Sequence, residues 1–245
     1  MNVAFLGASK GMGRALARRM AERGDRIFLL GRDSEDLRRS AADLANLGAT
    51  GEVGVGHCDL MDRATFGPAL RAARAALGDV DTVVVTAGEY RVQEDLERDA
   101  DARDRLLILN LVNTIHFCEE ARVLLLQRGG GSLCVFSSVA GDRGRKPVIL
   151  YGASKAGLSY YLEGIDHKFH SQGLRVTTVK PGFVKTGMTA GLEPPPFAGE
   201  PEGVARDVLR AIDRGRPVVY TPGMWRWIML VIRYLPRAVM RKIGF

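Results

Sequence analysis

The chain of 245 residues has few cysteines, no repeat and no leader-like opening. Its three cysteines, Cys58, Cys118 and Cys134, are odd in number and widely spaced. That excludes a disulfide framework and a CxxC metal knuckle, so no metal site is expected and a reducing, cytoplasmic setting is. No repeat period is present, which excludes collagen-like and low-complexity classes. The apolar opening stops at Gly7 without a basic segment before it, so no signal peptide is expected. Acids are the scarcer charge, 28 against 35 Lys plus Arg, giving a net charge of +7. Such a balance suits nucleic acid, a membrane surface or an anionic ligand, and the position of the charge decides among them.

The apolar content, 46%, excludes disorder and is enough for a real core. It is arranged in alternation. Val3-Ala4-Phe5-Leu6 reads as a strand buried on both faces, and Met12, Leu16 and Met20 mark one side of a helix from Gly11 to about Gly24. Strands follow at Arg26–Leu30, near Glu52–Cys58, at Thr82–Val85, Ser132–Ser137, Arg175–Val179 and Pro217–Tyr220. Between them lie helices at Ser34–Leu47, with Ser34 as cap, Asp62–Leu77, Arg105–Gln127, Tyr151–Gln172 and Pro201–Asp213. This order calls for an α/β fold, a doubly wound parallel sheet with helices on both faces, in one domain over residues 1–223. The charged run Glu89–Asp104 reads as a solvated helix face. Gly187–Glu200, with Pro194-Pro195-Pro196, is too long for a routine connector and reads as a mobile loop over a site.

Glycines at a strand–helix turn allow backbone N–H groups to approach a phosphate at the positive end of a helix. Gly7-Ala8-Ser9-Lys10-Gly11-Met12-Gly13 occupies that place after the first strand, with GxxxGxG spacing. Tyr151 and Lys155 are four residues apart, so on a helix the phenol and the ammonium share a face. A nearby cation favours the tyrosinate and makes the phenol a usable acid or base. Ser137-Ser138 closes a strand at the edge where open α/β sheets bind ligands. Asn110, set among Leu106, Leu107, Ile108, Leu109, Leu111 and Val112, is an amide in need of partners, while Asn113 could be purely structural.

From Val3 to about Tyr220 these motifs resemble the short-chain dehydrogenase/reductase family. Gly7, Gly11 and Gly13 match its cofactor glycines, Asp59 its adenine-contacting acid, and Ala87-Gly88 the end of its NNAG motif. Asn110-Leu-Val-Asn113 matches its NLxG-like segment, and Pro181-Gly182-Phe183-Val184-Lys185-Thr186 its PGxVxT segment. Ser138, Tyr151 and Lys155 match its catalytic set, with the usual Ser-to-Tyr interval of 13. The resemblance implies a Rossmann-type domain and hydride transfer with Tyr151 as proton donor. Lys155 would lower the Tyr151 pKa and hold the nicotinamide ribose, Ser138 would orient the substrate oxygen, and Asn110 would hold a relay water. Gly7, Ser9, Lys10, Gly11, Met12, Gly13, Arg32, Asp59, Leu60, Ala87, Gly88, Tyr151, Lys155, Pro181, Gly182, Val184 and Thr186 would contact the cofactor. The resemblance also implies a homo-oligomer, dimer or tetramer.

After the second strand, where an acid would bind a ribose 2′-hydroxyl, the chain reads Gly31-Arg32, and Lys10 stands in the glycine turn. Both cations suit a 2′-phosphate, so NADP(H) is expected, with Asp33 read as a helix cap or first-turn acid. Two departures stand out. Leu6 takes the place of the usual Thr, and Val85-Thr86 replaces the asparagines of NNAG, so their polar contacts must be absent or rebuilt.

The segment 224–245 holds Arg226, Arg233, Arg237, Arg241 and Lys242 and no acid, so five of the seven net positive charges sit there. At about 100° per residue the arginines share a narrow sector, with Trp225, Trp227, Ile228, Leu230, Val231 and Ile232 around them. Its apolar stretch is too short to span a bilayer, and Pro236 breaks it. Two readings stand: an interfacial helix touching the inner face of a membrane, or a tail buried in a dimer or over the active site. Nucleic acid is not expected, since no aromatic stacking surface accompanies a basic groove. Residues 225–237 resemble the family branch that includes bacterial decaprenylphosphoryl 2-keto-erythropentose reductases, which implies a hydrophobic or lipid-linked ketone. The rival readings are a soluble 3-oxoacyl-thioester reductase and a non-catalytic NADP(H)-sensing or interaction protein.

Overall fold

Two short runs of aliphatic residues set the centre of the sheet. β1 (Asn2–Leu6) and β4 (Thr82–Val85) pair in parallel, Val3 beside Thr82 and Leu6 beside Val85, and β4 is buried along its whole length. The structure, a computed structural model, describes residues 1–195 and 197–243. Pro196 of the Pro194–Pro196 run, and Gly244 and Phe245 of the tail, lie outside the described residues. Five more strands complete a seven-stranded parallel sheet: β2 (Arg26–Gly31), β3 (Gly54–His57), β5 (Gly131–Phe136), β6 (Leu174–Pro181) and β7 (Val218–Thr221). Their order is β3-β2-β1-β4-β5-β6-β7, so the direction of winding reverses between β1 and β4. Open parallel sheets place ligands at the carboxyl ends of the strands flanking such a reversal.

Helices cover both faces, as the near-continuous apolar strands require. α1 (Gly11–Glu22), α2 (Ser34–Asn46) and α8 (Pro201–Asp213) enclose one core with Phe5, Leu16, Met20, Leu29 and Val208. On the other face lie α3 (Phe66–Leu77), α6 (Thr114–Gln127) and α7 (Ile149–Phe169), around Phe66, Phe117, Leu125, Val135 and Leu162. The cysteines are all free and buried, and burial pushes the Cys58 thiol up to about 12. No helix among the described residues is long and apolar enough to cross a membrane.

Three local readings need correction. The cap of α2 is Asp33 and not Ser34: its carboxylate accepts from the N–H groups of Glu35 and Asp36, both at 3.0 Å. The helix expected from Arg105 starts earlier, as α4 (Gln93–Arg98) and α5 (Ala100–Leu107), and runs through a π turn at Ile108–Asn113 into α6. Periodicity at 3.6 residues does not register one extra residue in a turn, and such bulges mark functional positions. Gly187–Glu200 is partly ordered by a 3₁₀ turn at Gly187–Thr189 and a parallel bridge between Val184 and Gly199.

The segment after β7 docks on the body. In α9 (Trp225–Tyr234), Trp225, Met229 and Ile232 are buried against Val139, Phe183, Phe197 and Tyr220. Arg143 donates to the carbonyl of Leu235 at 2.9 Å, and Lys146 to that of Arg241 in α10 (Arg237–Lys242) at 2.7 Å. The opposite face of α9 exposes Trp227, Leu230, Val231 and Tyr234.

Candidate active site

The turn between β1 and α1 is built for close backbone approach. A Cβ at Gly13 would lie 2.2 Å from the Gly7 carbonyl oxygen, and one at Gly7 would lie 2.5 Å from the Ala87 nitrogen. Gly7 and Gly11 both hold positive φ, 97° and 52°. The resulting cradle opens at the N-terminus of α1, whose preceding residue, Lys10, makes no side-chain cap. Thr86 rebuilds part of the altered motif: its hydroxyl donates to the Gly7 carbonyl at 2.8 Å. Leu6 is buried in the core and makes no such bond.

A cleft of about 440 Å³ extends from this turn, lined by Gly7, Ser9, Lys10, Arg32, Asp59, Leu60, Ala87 and Gly88 together with Asp33, Asp36, Glu89 and Arg105. The expected dinucleotide residues from the first half of the chain therefore come together, apart from Gly11, Met12 and Gly13, which continue into α1. Asp59 accepts from the Met61 N–H at 2.9 Å, which fixes the loop after β3. Lys10 reaches Asp36 at 3.1 Å, so one of the two cations expected for a 2′-phosphate shares its charge with a neighbouring acid. Arg32 is exposed at the cleft, and Asp33, which also lines it, accepts both α2 cap bonds on one carboxylate oxygen, Oδ1.

A second pocket, of about 330 Å³ and mostly apolar, adjoins the sheet edge. Ser138, Tyr151, Pro181, Gly182, Val184, Thr186 and Met12 line it, so the second half of the expected set also converges. Close packing of Gly141 and Gly152 lets Val139–Gly141 lie against α7. A Cβ on Gly152 would stand 2.8 Å from the Ala140 carbonyl oxygen. That contact brings Ser138 to Tyr151. Ser137, by contrast, faces the helix, bonded to the Lys155 carbonyl at 2.9 Å and the Ser159 hydroxyl at 2.7 Å.

Lys155 is buried, and its ammonium donates to the Phe136 carbonyl at 3.0 Å. Its Nζ is 5.7 Å from the Tyr151 ring centroid. Burial pulls Lys155 down to about 8 and pushes Tyr151 up to about 12, the hydrogen-bonding Ser138 hydroxyl working against the latter. The lowered Tyr151 pKa expected from Lys155 does not appear in this structure: desolvation of the phenol is the largest effect, and the Lys155 ammonium is not among the groups that shift it. Tyr151 therefore carries its proton near neutrality.

Asn110 sits in the π turn, where its side chain clamps residue 89: Nδ2 donates to the Glu89 carbonyl at 2.7 Å and Oδ1 accepts from the Glu89 N–H at 2.8 Å. The amide thereby positions the backbone beside Gly88. A Cβ on Gly88 would lie 3.3 Å from Asn110 Oδ1 and 3.5 Å from Lys155 Nζ, so this backbone passes between the two. Asn113 is structural, bridging the Leu60 carbonyl at 2.6 Å and Arg63 Nε at 2.6 Å.

Several site residues were not read from the sequence. Tyr90 packs edge-on against Tyr151, centroids 5.3 Å apart, and Glu89 pairs with Arg91 at 2.6 Å and Arg105 at 3.2 Å. The first two residues of the charged run therefore belong to the site and not to a solvated face. Arg145 and Trp225 also line the catalytic pocket. Position just after Ala87-Gly88 could have flagged Tyr90. Nothing local in the sequence marks Trp225, which arrives from the far end of the chain.

A glycine cradle at a helix N-terminus, running into a pocket with a Ser–Tyr pair and a buried lysine, defines a dinucleotide-dependent oxidoreductase. A model of the short chain dehydrogenase family matches residues 2–196. An uncharacterized oxidoreductase of Mycobacterium tuberculosis is 34% identical over 241 residues, covering 98% of this chain and 96% of that protein. Carbonyl reductase family member 4 of Xenopus tropicalis is 31% identical over 215 residues, 84% of this chain and 88% of that one. A solved short-chain type dehydrogenase/reductase of Mycobacterium ulcerans has the same fold, with TM-score 0.82 at 22% identity over 89% of this chain and 87% of that chain. The chain belongs to the short-chain dehydrogenase/reductase family, an oxidoreductase family that uses nicotinamide dinucleotides. The likeness of residues 225–237 to one branch stays a resemblance of sequence.

The titrations make a pH prediction. Tyr151 keeps its proton up to about 12, while Lys155 loses its charge as pH rises through about 8. In the reaction typical of the family the ammonium would stabilise negative charge developing at the substrate oxygen, so it would have to be present for reduction. The rate of carbonyl reduction should therefore be flat below that pH and fall above it, by up to about tenfold per unit. Lys155→Met should abolish that limb in a kcat/KM profile. A wild-type profile flat to pH 10 would remove Lys155 from the chemistry.

Proposed function

We propose that the protein is an NADPH-dependent carbonyl reductase acting on a hydrophobic or lipid-linked ketone. The observation that carries this reading is the catalytic pocket itself: Ser138 and Tyr151 hydroxyls in a mostly apolar enclosure. The cofactor supplies hydride when bound. Tyr151 donates the proton to the carbonyl oxygen, Ser138 orients that oxygen, and Lys155 holds positive charge behind them. The enclosing Phe183, Met188, Leu192 and Trp225 side chains exclude water and favour an apolar substrate over a polar one. The direct test is oxidation of NADPH with a panel of ketones graded from short and polar to long and apolar. Turnover should rise along that series, and no turnover with any member would sink the reading.

Preference for NADPH rests on Arg32, exposed at the cleft beside Asp33, whose Oδ1 caps α2. Arg32→Asp should raise the KM for NADPH by about tenfold to a hundredfold, the scale of a lost charge-assisted bond to phosphate, and leave NADH little changed. Equal KM values for NADPH before and after the change would assign the 2′-phosphate elsewhere.

The exposed aromatic face of α9, beside five cations and no acid in residues 224–245, supports contact with an anionic membrane surface. Deleting the segment would also strip Trp225 from the catalytic pocket, so surface substitutions test this better. Wild-type protein should sediment with vesicles containing phosphatidylglycerol, and Trp227→Ala combined with Tyr234→Ala should release it while NADPH oxidation continues. Failure of the wild type to sediment would leave the segment a purely structural one. The same reading makes the protein a self-associating subunit at the cytoplasmic face of the membrane, with the exposed Val123 on α6 and Tyr160 on α7 as candidate contacts.

A further inference from the structure

The chain leaves β4 at Val85 and runs through residues 86–92 without a regular element, yet this stretch is tied down on both sides of Tyr90. Before it, the Glu89 backbone is held by both ends of the Asn110 amide, at 2.7 and 2.8 Å. The Glu89 carboxylate pairs with Arg91 and with Arg105 of α5. After it, the buried Gln93 accepts from the Leu150 N–H at 3.1 Å and donates to Glu97 at 3.0 Å. Leu150 lies in the first turn of α7, where backbone N–H groups have no partner within the helix. Its side chain packs on the cluster of Leu96, Ala102 and Leu106 from α4 and α5. One segment therefore fixes two things together, the backbone next to Tyr151 and the ring of Tyr90. That ring meets the Tyr151 ring edge-on, with centroids 5.3 Å apart and planes at 83°, an arrangement that aromatic quadrupoles favour. Both rings line the catalytic pocket.

Resting on the reductase reading, we propose that Tyr90 is a positioning residue for the reaction: its ring holds the Tyr151 ring in the orientation that keeps the phenol beside Ser138 and turned to the substrate oxygen. A tyrosine ring turns about two side-chain bonds, so the hydroxyl at its far end wanders unless the ring is held from the side. The Ser138 hydroxyl, bonded to the phenol, fixes the tip, and the Tyr90 ring fixes the plane. Proton donation depends on that placement, since a displacement of about 1 Å at a reacting group costs about a hundredfold in rate. The contact is made by the Tyr90 ring and not by its hydroxyl, so a phenylalanine there should serve and an aliphatic side chain should not.

In single-turnover reactions at saturating NADPH and ketone, Tyr90→Ala should slow hydride transfer by about tenfold to a hundredfold. Tyr90→Phe should restore most of the rate, and Tyr90→Leu, which keeps apolar bulk without a ring, should not. The decisive comparison is a double-mutant cycle. On a Tyr151→Phe background, Tyr90→Ala should change the residual rate by less than about twofold, because the group it positions is gone. A loss through folding, cofactor binding or pocket shape would persist at full size on that background and would overturn the proposal. So would a Tyr90→Leu rate equal to that of Tyr90→Phe. A second readout needs no turnover. In protein labelled with 3-fluorotyrosine, the Tyr151 resonance is the one missing from Tyr151→Phe, and its line shape reports how fast the ring turns. Turning should be about threefold to tenfold faster in Tyr90→Ala than in the wild type, the scale of one aromatic pair, and equal rates would overturn the proposal. A ring slowed by Tyr90 in a protein that reduces no ketone would instead sink the reductase reading and leave the ring contact standing.

Discussion

Tyr151→Phe should lower kcat/KM for ketone reduction by about a hundredfold to ten-thousandfold, the contribution of a positioned general acid. The change removes one oxygen and leaves the ring, which packs edge-on against Tyr90. The fold should therefore be intact, with the melting temperature close to that of the wild type. NADPH affinity should fall far less than the rate, because the glycine turn and Arg32 hold the rest of the cofactor in the other cleft. The informative result is this split, chemistry lost with binding kept, seen in single-turnover rates beside NADPH titrations. Burial keeps the phenol protonated, and the Ser138 hydroxyl hydrogen-bonded to it works against the rise in its pKa. A variant that retained most of the wild-type rate would assign proton donation to another group. The non-catalytic rival would then gain, since a sensor has no use for the donor.

Gly13→Ala should damage both stability and cofactor binding. The added methyl would stand 2.2 Å from the Gly7 carbonyl oxygen and 2.5 Å from the Thr86 hydroxyl, and the first of these is backbone. Relief requires the turn to open, which separates Gly7 from α1 and breaks the Thr86–Gly7 bond. Overpacking of this kind costs about 1–3 kcal/mol, or roughly 2–12 °C in melting temperature at this size. The KM for NADPH should rise at least tenfold, since the same turn presents the N–H groups to phosphate, an effect of about 1.4 kcal/mol or more. Gly164→Ala is the control. A Cβ there meets nothing within 4 Å and the residue lies inside α7, so that change should stabilise the protein by about 0.5–1 kcal/mol. Equal effects of the two substitutions would mean that the close approach at Gly13 carries no weight.

The strands were legible because each is a short aliphatic run ended by glycine or a turn, and the glycine turn because its spacing falls between a strand and a helix. Val3–Leu6 and Thr82–Val85 form adjacent strands for that reason, and Asp33 caps α2 as one of its two readings held. Ser138, Tyr151 and Lys155 were legible as a pattern of types and intervals. Their ionisation was not. The expected lowering of the Tyr151 pKa considered only its neighbour four residues away, whereas burial of the phenol has the larger effect. The π turn at Asn110 escaped for a similar reason. It is an irregularity held by the Glu89 backbone, 21 residues distant, and leaves no mark on local periodicity.

The C-terminal segment divides the two kinds of knowledge most plainly. Its sequence determined that it would be basic, apolar, too short to span a bilayer and broken at Pro236, because composition and length are local properties. Whether it lay over the site or stood apart was undecided by those same properties. Only packing settles it: a helix has two faces, and α9 places Trp225, Met229 and Ile232 inward while Trp227, Val231 and Tyr234 face outward. The glycine turn, the catalytic types and the family were thus written in the chain. The second wall of the pocket, with Trp225 and Arg145 on it, was decided by contacts between residues about 80 positions apart, which no local pattern encodes.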